Sequence, residues 1–193
     1  MLDENQFRLF SVVAQSPSGQ RVEARLTMEA YLGIVAATNF KQRARKTLEY
    51  YHADRLNYAV AGTPNLVEYD QGFFVKLGDG AADVKPIAHL YKSQVYQLAE
   101  AIGVPEDIRR RTPTTDTYPL EQTQEEFYFG LSLEQTDLCA YARDHGVPVE
   151  EVAPVVRLTP EQVMRAFQSI DSKREAARYL HAPAALINPQ YAR

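Results

Sequence analysis

Between Gly62 and Lys92 the chain gathers Thr63, Glu68, Asp70, Lys76, Asp79, Asp83, Lys85 and Lys92, with glycines at 62, 72, 78 and 80. Carboxylates beside lysines on a glycine-rich loop suit Mg2+ and phosphate. The carboxylates take the hard cation, the lysines neutralise the anion, and glycine lets the backbone approach a ligand closely. The apolar run Phe73-Phe74-Val75 would anchor such a loop. The same composition also fits a hairpin with a tight Gly78-Asp79-Gly80 turn and a solvated polar face, and residue types alone leave both readings open. A basic cluster at Lys41, Arg43, Arg45 and Lys46 is likewise either a solvated helix face or a phosphate clamp, since the guanidinium fork matches phosphate oxygens. Cys139 is the only cysteine, which excludes an internal disulfide and a thiolate zinc site. It lies in a helical pattern and reads as a buried structural thiol rather than a nucleophile.

The elements around these residues must place them. Residues 57–62, Asn-Tyr-Ala-Val-Ala-Gly, form a short apolar run ending in glycine, the pattern of a buried parallel strand. Thr63 and the charged loop follow directly, at the carboxyl end of a strand, where open α/β sheets bind ligands. Upstream, Phe7–Ala14 reads as a strand stopped by the turn Ser16–Gly19. A helix is expected from about Glu23 to His52, with Leu26, Ala30, Ile34 and Ala37 on its apolar face. Downstream, Tyr91–Ile102 reads as a helix with Val95, Leu98 and Ile102 inward, ended by Gly103, and Pro105 opens a short helix over 106–111. Lys92 falls in a first helical turn, where a cation opposes the helix dipole unless an anion is near; this hints at a phosphate ligand. Residues 111–119 form a hydroxyl-rich loop that reads as a linker with capping threonines, and 120–131, with Glu121, Glu125 and Glu126 beside Phe127-Tyr128-Phe129, as a short helix or lid. Ser132 and Thr159 look like N-caps. From Glu161 to Leu180, Val163, Phe167, Ile170 and Ala177 mark an amphipathic helix whose Ser172-Lys173-Arg174 faces an unidentified partner.

A chain of 193 residues is expected to be one domain, 1–193. With 45% hydrophobic and 24% charged residues it falls in the range of soluble globular chains. A net charge of −4 gives no global reason to expect nucleic acid or an anionic membrane, and the arginines lack the aromatic interleaving of a single-strand platform. No apolar run approaches the ~20 residues that span a bilayer, and the first residues lack the basic and apolar regions of a signal peptide. The expectation is a cytoplasmic protein without membrane contact.

Taken in order, Asn39-Phe-Lys-Gln-Arg43, Gly62-Thr63, Glu68, Gly72-Phe-Phe-Val-Lys76, Gly78-Asp-Gly-Ala-Ala-Asp83, Lys92 and Pro113-Thr-Thr-Asp116 resemble the ammonia-dependent NAD+ synthetases. The match is continuous from Asn39 to Asp116 and weaker to about Lys173. It implies an adenine-nucleotide α-hydrolase-like α/β fold: a parallel sheet with flanking helices and a helix-rich C-terminus. It also implies an Mg2+-dependent homodimer that makes NAD+ from deamido-NAD+, ATP and ammonia. By resemblance, Thr63, Lys92 and Thr114 contact ATP, Glu68 is the metal ligand, and Arg43, Lys76, Asp83 and Lys173 bind deamido-NAD+. The implied chemistry is adenylation of the nicotinate carboxylate followed by displacement of AMP by ammonia, which needs no side-chain nucleophile.

Two departures stand beside this match. The family's N-terminal Ser-Gly-Gly-x-Asp-Ser loop has no counterpart, Ser16-Pro-Ser-Gly19 being unlike it, so the chain is expected to correspond to the C-terminal part of the family. Ser172 stands where the family often has His. No glutaminase-like domain is present, so ammonia is expected from solution or another protein. The rival reading is a non-catalytic dimerisation or regulatory module, or one subunit of a split enzyme.

Overall fold

The computed structural model describes residues 11–114 and 123–187. Phe7–Phe10 of the expected first strand, Thr115 and Asp116 of the hydroxyl-rich loop, and Glu121 lie outside the described residues, as do the side chains of Glu126 and Phe127. Strands β1 (Ser11–Gln15) and β2 (Arg21–Arg25) form an antiparallel hairpin with Ser11 opposite Arg25. Its turn is closed by Ser16, whose backbone oxygen accepts from Gly19 N at 2.9 Å and whose hydroxyl accepts from Gln20 N at 3.1 Å. Residues 23–25, the end of β2, are expected to be helical, but the Ser16–Gly19 turn folds them back onto β1.

Helix α1 (Met28–Leu56) starts only after Thr27, whose hydroxyl accepts from Ala30 N, and it stops at Asn57 in the left-handed conformation. The expected apolar stripe is not the packed one. Ala30 and Ala37 are exposed, and α1 buries only Lys46 and Ala53. In its C-terminal half Arg43 Nε donates to Lys76 O and Tyr50 OH to Asp83, which turns Lys46 and Ala53 inward.

The expected parallel strand over 57–62 is reduced to a single parallel bridge, Ala61 to Val84. Val60 is buried, and Val60 O accepts from Asp83 N at 2.9 Å, but among the described residues the only sheet is the β1–β2 hairpin. A parallel ladder is stable when both its faces and its edges are covered, and here one short segment meets one other.

The remainder is helical: α2 (Leu66–Asp70), α3 (Lys92–Ala101), α4 (Glu106–Arg109), one π-helical turn (Glu125–Phe129), α5 (Leu133–Asp144), α6 (Val149–Val156) and α7 (Pro160–His181). The core sits where α5, α6 and α7 pack, around Cys139, Val152, Val156, Val163 and Ile170. Ser132 and Thr159 cap α5 and α7 as expected, each within a capping box. On α7, Val163, Ile170 and Ala177 are buried with Ala166, while Phe167 stays at the margin. Cys139 is fully buried, and burial pushes its thiol pKa up, which disfavours the thiolate. The expected apolar face of α3 is met only in part: Val95 is half-buried, but Leu98 and Ile102 are exposed, α3 being held to α5 at its first turn. Among the described residues, no helix is long and apolar enough to cross a membrane.

Candidate nucleotide and metal site

The site is built from two helix starts. Asn65 caps α2: its Oδ1 accepts from Glu68 N at 3.0 Å, while Glu68 Oε2 accepts from Asn65 N at 2.9 Å. This capping box fixes one carboxylate oxygen of Glu68 and leaves the other, Oε1, facing Lys92 Nζ at 3.7 Å. The pair is largely shielded, with side-chain exposures of 13% and 20%. Lys92 opens α3, and the Lys92 and Ser93 N–H groups donate to Asp137 of α5, at 3.3 and 2.7 Å. The anion that a lysine in a first turn calls for is therefore supplied by the protein, as Asp137 at the helix end and Glu68 opposite the ammonium. The position of Lys92 alone does not require a phosphate.

Glu68, Lys92, Thr63 and Thr114 line one cavity of about 630 Å³. Thr114 is held there by an antiparallel bridge to Thr123. Arg45 from α1 and Asp79 from the Gly78–Gly80 turn add a second cation and a second carboxylate to the wall. Asp79 Oδ1 accepts from Val75 N at 2.8 Å. Although its side chain is open to solvent, partial desolvation pushes its carboxyl above the usual range, against the pull of that hydrogen bond. Gln124 also lines the cavity, and its Oε1 is buried without a hydrogen-bond partner among the described residues.

Sequence reasoning put Arg45 in a candidate phosphate clamp and Asp79 in the charged loop without tying either to a ligand, and gave Gln124 no role. Asp79 carried a signal in its Gly-Asp-Gly setting, and Gln124 carried none. Mg2+ takes one or two carboxylates and completes its shell with phosphate and water. Glu68 Oε1 fits that demand. Among the described residues no group of three His, Cys, Asp or Glu could form a closed metal cage, so the donor set suits a phosphate-borne ion.

The four residues matched to deamido-NAD+ do not line this cavity. Arg43 and Lys76 are joined by the Arg43 Nε to Lys76 O hydrogen bond at 3.2 Å. Lys76 Nζ donates to the carbonyls of Tyr179 and Ala182 at the end of α7, at 2.8 and 2.7 Å, where a cation complements the helix dipole. Asp83 Oδ2 accepts from Val60 N at 2.7 Å and Oδ1 from Tyr50 OH at 3.3 Å, tying the loop to the segment after α1.

Lys173 lines a second cavity of about 460 Å³, its ammonium 4.8 Å from the Tyr128 ring centre and 5.5 Å from that of Phe129. Its neighbour Arg174 has the partner that the sequence left unidentified: it bridges Asp70 and Asp144, both at 2.7 Å. Burial lowers the Lys173 ammonium below the ordinary lysine value, and among the described residues no carboxylate pairs with it. The native state thus binds this proton less tightly than the unfolded chain. The penalty is complete below the lowered native value and disappears as the pH rises past the unfolded value near 10.5. Lys173→Met is expected to raise stability at neutral pH, the cation–π contacts offsetting part of the gain, and to flatten the alkaline rise. Thermal unfolding between pH 7 and 11 checks this, and an unchanged profile would refute it.

A cavity that joins hydroxyls, two cations and a capped, half-free carboxylate has the makings of a nucleotide phosphate site. The sequence profile of the NAD synthase family matches residues 16–179, and the chain belongs to that family. It is 60% identical over 185 residues to the NH3-dependent NAD+ synthetase of Rhizobium rhizogenes, covering 96% of this chain and 56% of that protein. To the protein of the same name from Rhizobium meliloti it is 58% identical over 188 residues, covering 97% and 56%. The chain thus spans just over half the length of these curated relatives. Among solved structures it resembles the NMN synthetase of Francisella tularensis, with 26% identity and a TM-score of 0.62 over 83% of this chain and 62% of that one. The NH3-dependent NAD synthetase of Campylobacter jejuni shares the fold at 22% identity and a TM-score of 0.57, covering 80% and 56%.

Proposed function

We propose that this chain carries out, or supplies a major part of, the ATP-dependent amidation of deamido-NAD+ to NAD+ with ammonia as nitrogen donor. The observation that carries the reading is the convergence of Glu68, Lys92, Thr63 and Thr114 on one cavity. In the first step an oxygen of the nicotinate carboxylate attacks the α-phosphorus of ATP, and the α,β-phosphoanhydride bond breaks to release pyrophosphate. In the second, ammonia attacks the acyl carbon, the acyl–oxygen bond to AMP breaks, and the proton lost from nitrogen leaves with solvent or a nearby base.

A carboxylate is a poor acyl donor, so the first step supplies the leaving group. The protein's part is to position the reactants and neutralise charge. Lys92 and Arg45 balance phosphate charge, and the hydroxyls of Thr63 and Thr114 hydrogen-bond nucleotide oxygens. Glu68 would hold Mg2+, which when bound supplies Lewis-acid stabilisation of the triphosphate. Arg43, Lys76, Asp83 and Lys173 would receive deamido-NAD+, Lys76 exchanging the carbonyls of Tyr179 and Ala182 for the dinucleotide as the 72–83 loop orders around it. A homodimer and a cytoplasmic setting complete the reading, with ammonia taken from solution or from another protein.

The test is a product assay: purified chain with deamido-NAD+, ATP, Mg2+ and ammonium, following NAD+ and AMP by chromatography, with Mg·ATP binding measured in parallel. Equal formation of both products is the expected result. Neither product and no ATP binding would overturn the reading in favour of a non-catalytic module.

A further inference from the structure

We propose that Asp137 of α5 is the positioning residue that sets Lys92 for nucleotide phosphate, an inference that rests on the nucleotide reading of the cavity. The start of α3 has little local cause to form where it does. Tyr91, at its N-cap, makes no side-chain capping bond, and Lys92 places a positive charge at the positive end of the helix dipole. The Tyr91 N–H is taken by Gln94 Oε1 at 3.0 Å, which leaves the next N–H groups without a partner in their own helix. Both find one on another helix: Lys92 N donates to Asp137 Oδ1 and Ser93 N to Asp137 Oδ2.

Asp137 has no packing reason to be a carboxylate. It lies 5% exposed on the buried face of α5, among Thr136, Cys139 and Ala140. Among the described residues no lysine or arginine forms an ion pair with it. Its two carboxylate oxygens accept from the Lys92 and Ser93 N–H groups, so it serves as an N-cap donated from a different helix. A buried carboxylate without a paired cation is costly, and two hydrogen bonds to a helix end are what offset it.

The arrangement divides the electrostatic work at the cavity. Asp137 satisfies the helix end, so the backbone N–H groups of α3 are not the phosphate receptor. The Lys92 side chain is then fixed at its root and directed at Glu68, its ammonium paired with that one carboxylate and available to a phosphate. Without Asp137 the first turn of α3 frays, and the ammonium moves from a shielded, oriented position toward solvent.

The test uses the full chain, with Asp137→Ala and, in case that variant fails to fold, Asp137→Asn, whose amide can accept from only one of the two N–H groups. Amine acylation followed by peptide mass spectrometry reads how shielded Lys92 is, and calorimetry reads ATP affinity. Acylation of Lys92 should rise, and ATP affinity fall, by about tenfold, the equivalent of one charge-assisted hydrogen bond. In a Lys92→Met background the Asp137 substitution should cause no further loss of ATP affinity. Unchanged acylation of Lys92 in both Asp137 variants overturns the proposal, as does an equal loss of ATP affinity with and without Lys92. If acylation rises but the unsubstituted chain shows no ATP binding, the positioning by Asp137 stands and the nucleotide reading of the cavity falls.

Discussion

Glu68→Ala is expected to abolish Mg2+-dependent formation of NAD+ and AMP, by about 100-fold or more, as when a preorganised charged contact to a reacting group is removed. The substitution removes three things together. It takes away the carboxylate oxygen left for a metal, the partner of Lys92 at 3.7 Å, and the side chain that closes the α2 capping box on Asn65 N. Loss of the cap and of the shielded charge partner should also lower stability, by about 1–3 kcal/mol. Glu68→Gln separates these effects. Glutamine at the same position can still accept from Asn65 N, so the fold should be nearly as stable as before. It brings no charge, so metal dependence should still be lost. Steady-state rates across a Mg2+ series, paired with thermal unfolding of both variants, decide the matter. If Glu68→Gln kept its Mg2+ response, Glu68 would be a cap and nothing more.

Gly72→Ala should be a damaging single-methyl change in the charged loop, being strained in its backbone and crowded in its packing. Gly72 has φ of +76°, a conformation that L side chains adopt at a cost of about 1–2 kcal/mol. A Cβ there would also lie 2.7 Å from Ala177 Cβ and 2.9 Å from Leu180 Cδ1. Leu180 can turn away, but Ala177 is 2% exposed on the packed face of α7 and has no side chain to move. Forcing the loop off α7 adds about 1–3 kcal/mol of overpacking, for a total near ~3 kcal/mol. Gly103 is the internal control, since it has φ of +77° and a methyl group added to it would meet nothing within 4 Å. Gly103→Ala should cost only the conformational part. Urea unfolding of the two variants measures the difference, and equal losses would sink the packing argument.

The features legible in the sequence are those decided within a few residues. Ser132 and Thr159 are followed three residues later by Gln135 and Gln162, and each pair forms a capping box. The stripe on α7 is a helix-period pattern facing one core. The charged loop is legible for a different reason: Thr63, Glu68 and Lys92 fall in one stretch of unusual composition, and they line one cavity with Thr114. Where pairing partners are distant, the sequence misleads. Residues 57–62 have the composition of a buried strand, yet a strand is made by its neighbours, and only Val84 meets Ala61. Residues 23–25 read as helical until the Ser16–Gly19 turn fixes them against β1. The anion beside Lys92 reads as a ligand in the sequence because Asp137, 45 residues away, cannot be linked to it by spacing.

Helix α1 has 29 residues and buries two of them, whereas α5 buries five of its twelve. At 1.5 Å per residue it is a rod of about 43 Å whose length is mostly exposed, with Arg43 and Tyr50 tying it to the charged loop. The free energy that opens α1 locally is therefore much smaller than that which opens the three-helix core, so the chain does not unfold as one cooperative unit. Native-state amide exchange should grade along the rod, fastest near Met28 and slower toward Ala53, with α5 and α7 slowest of all. Arg45, which α1 lends to the cavity wall, then sits on a separately melting segment. A modest rise in temperature could thus remove one wall of the cavity while the protein still registers as folded.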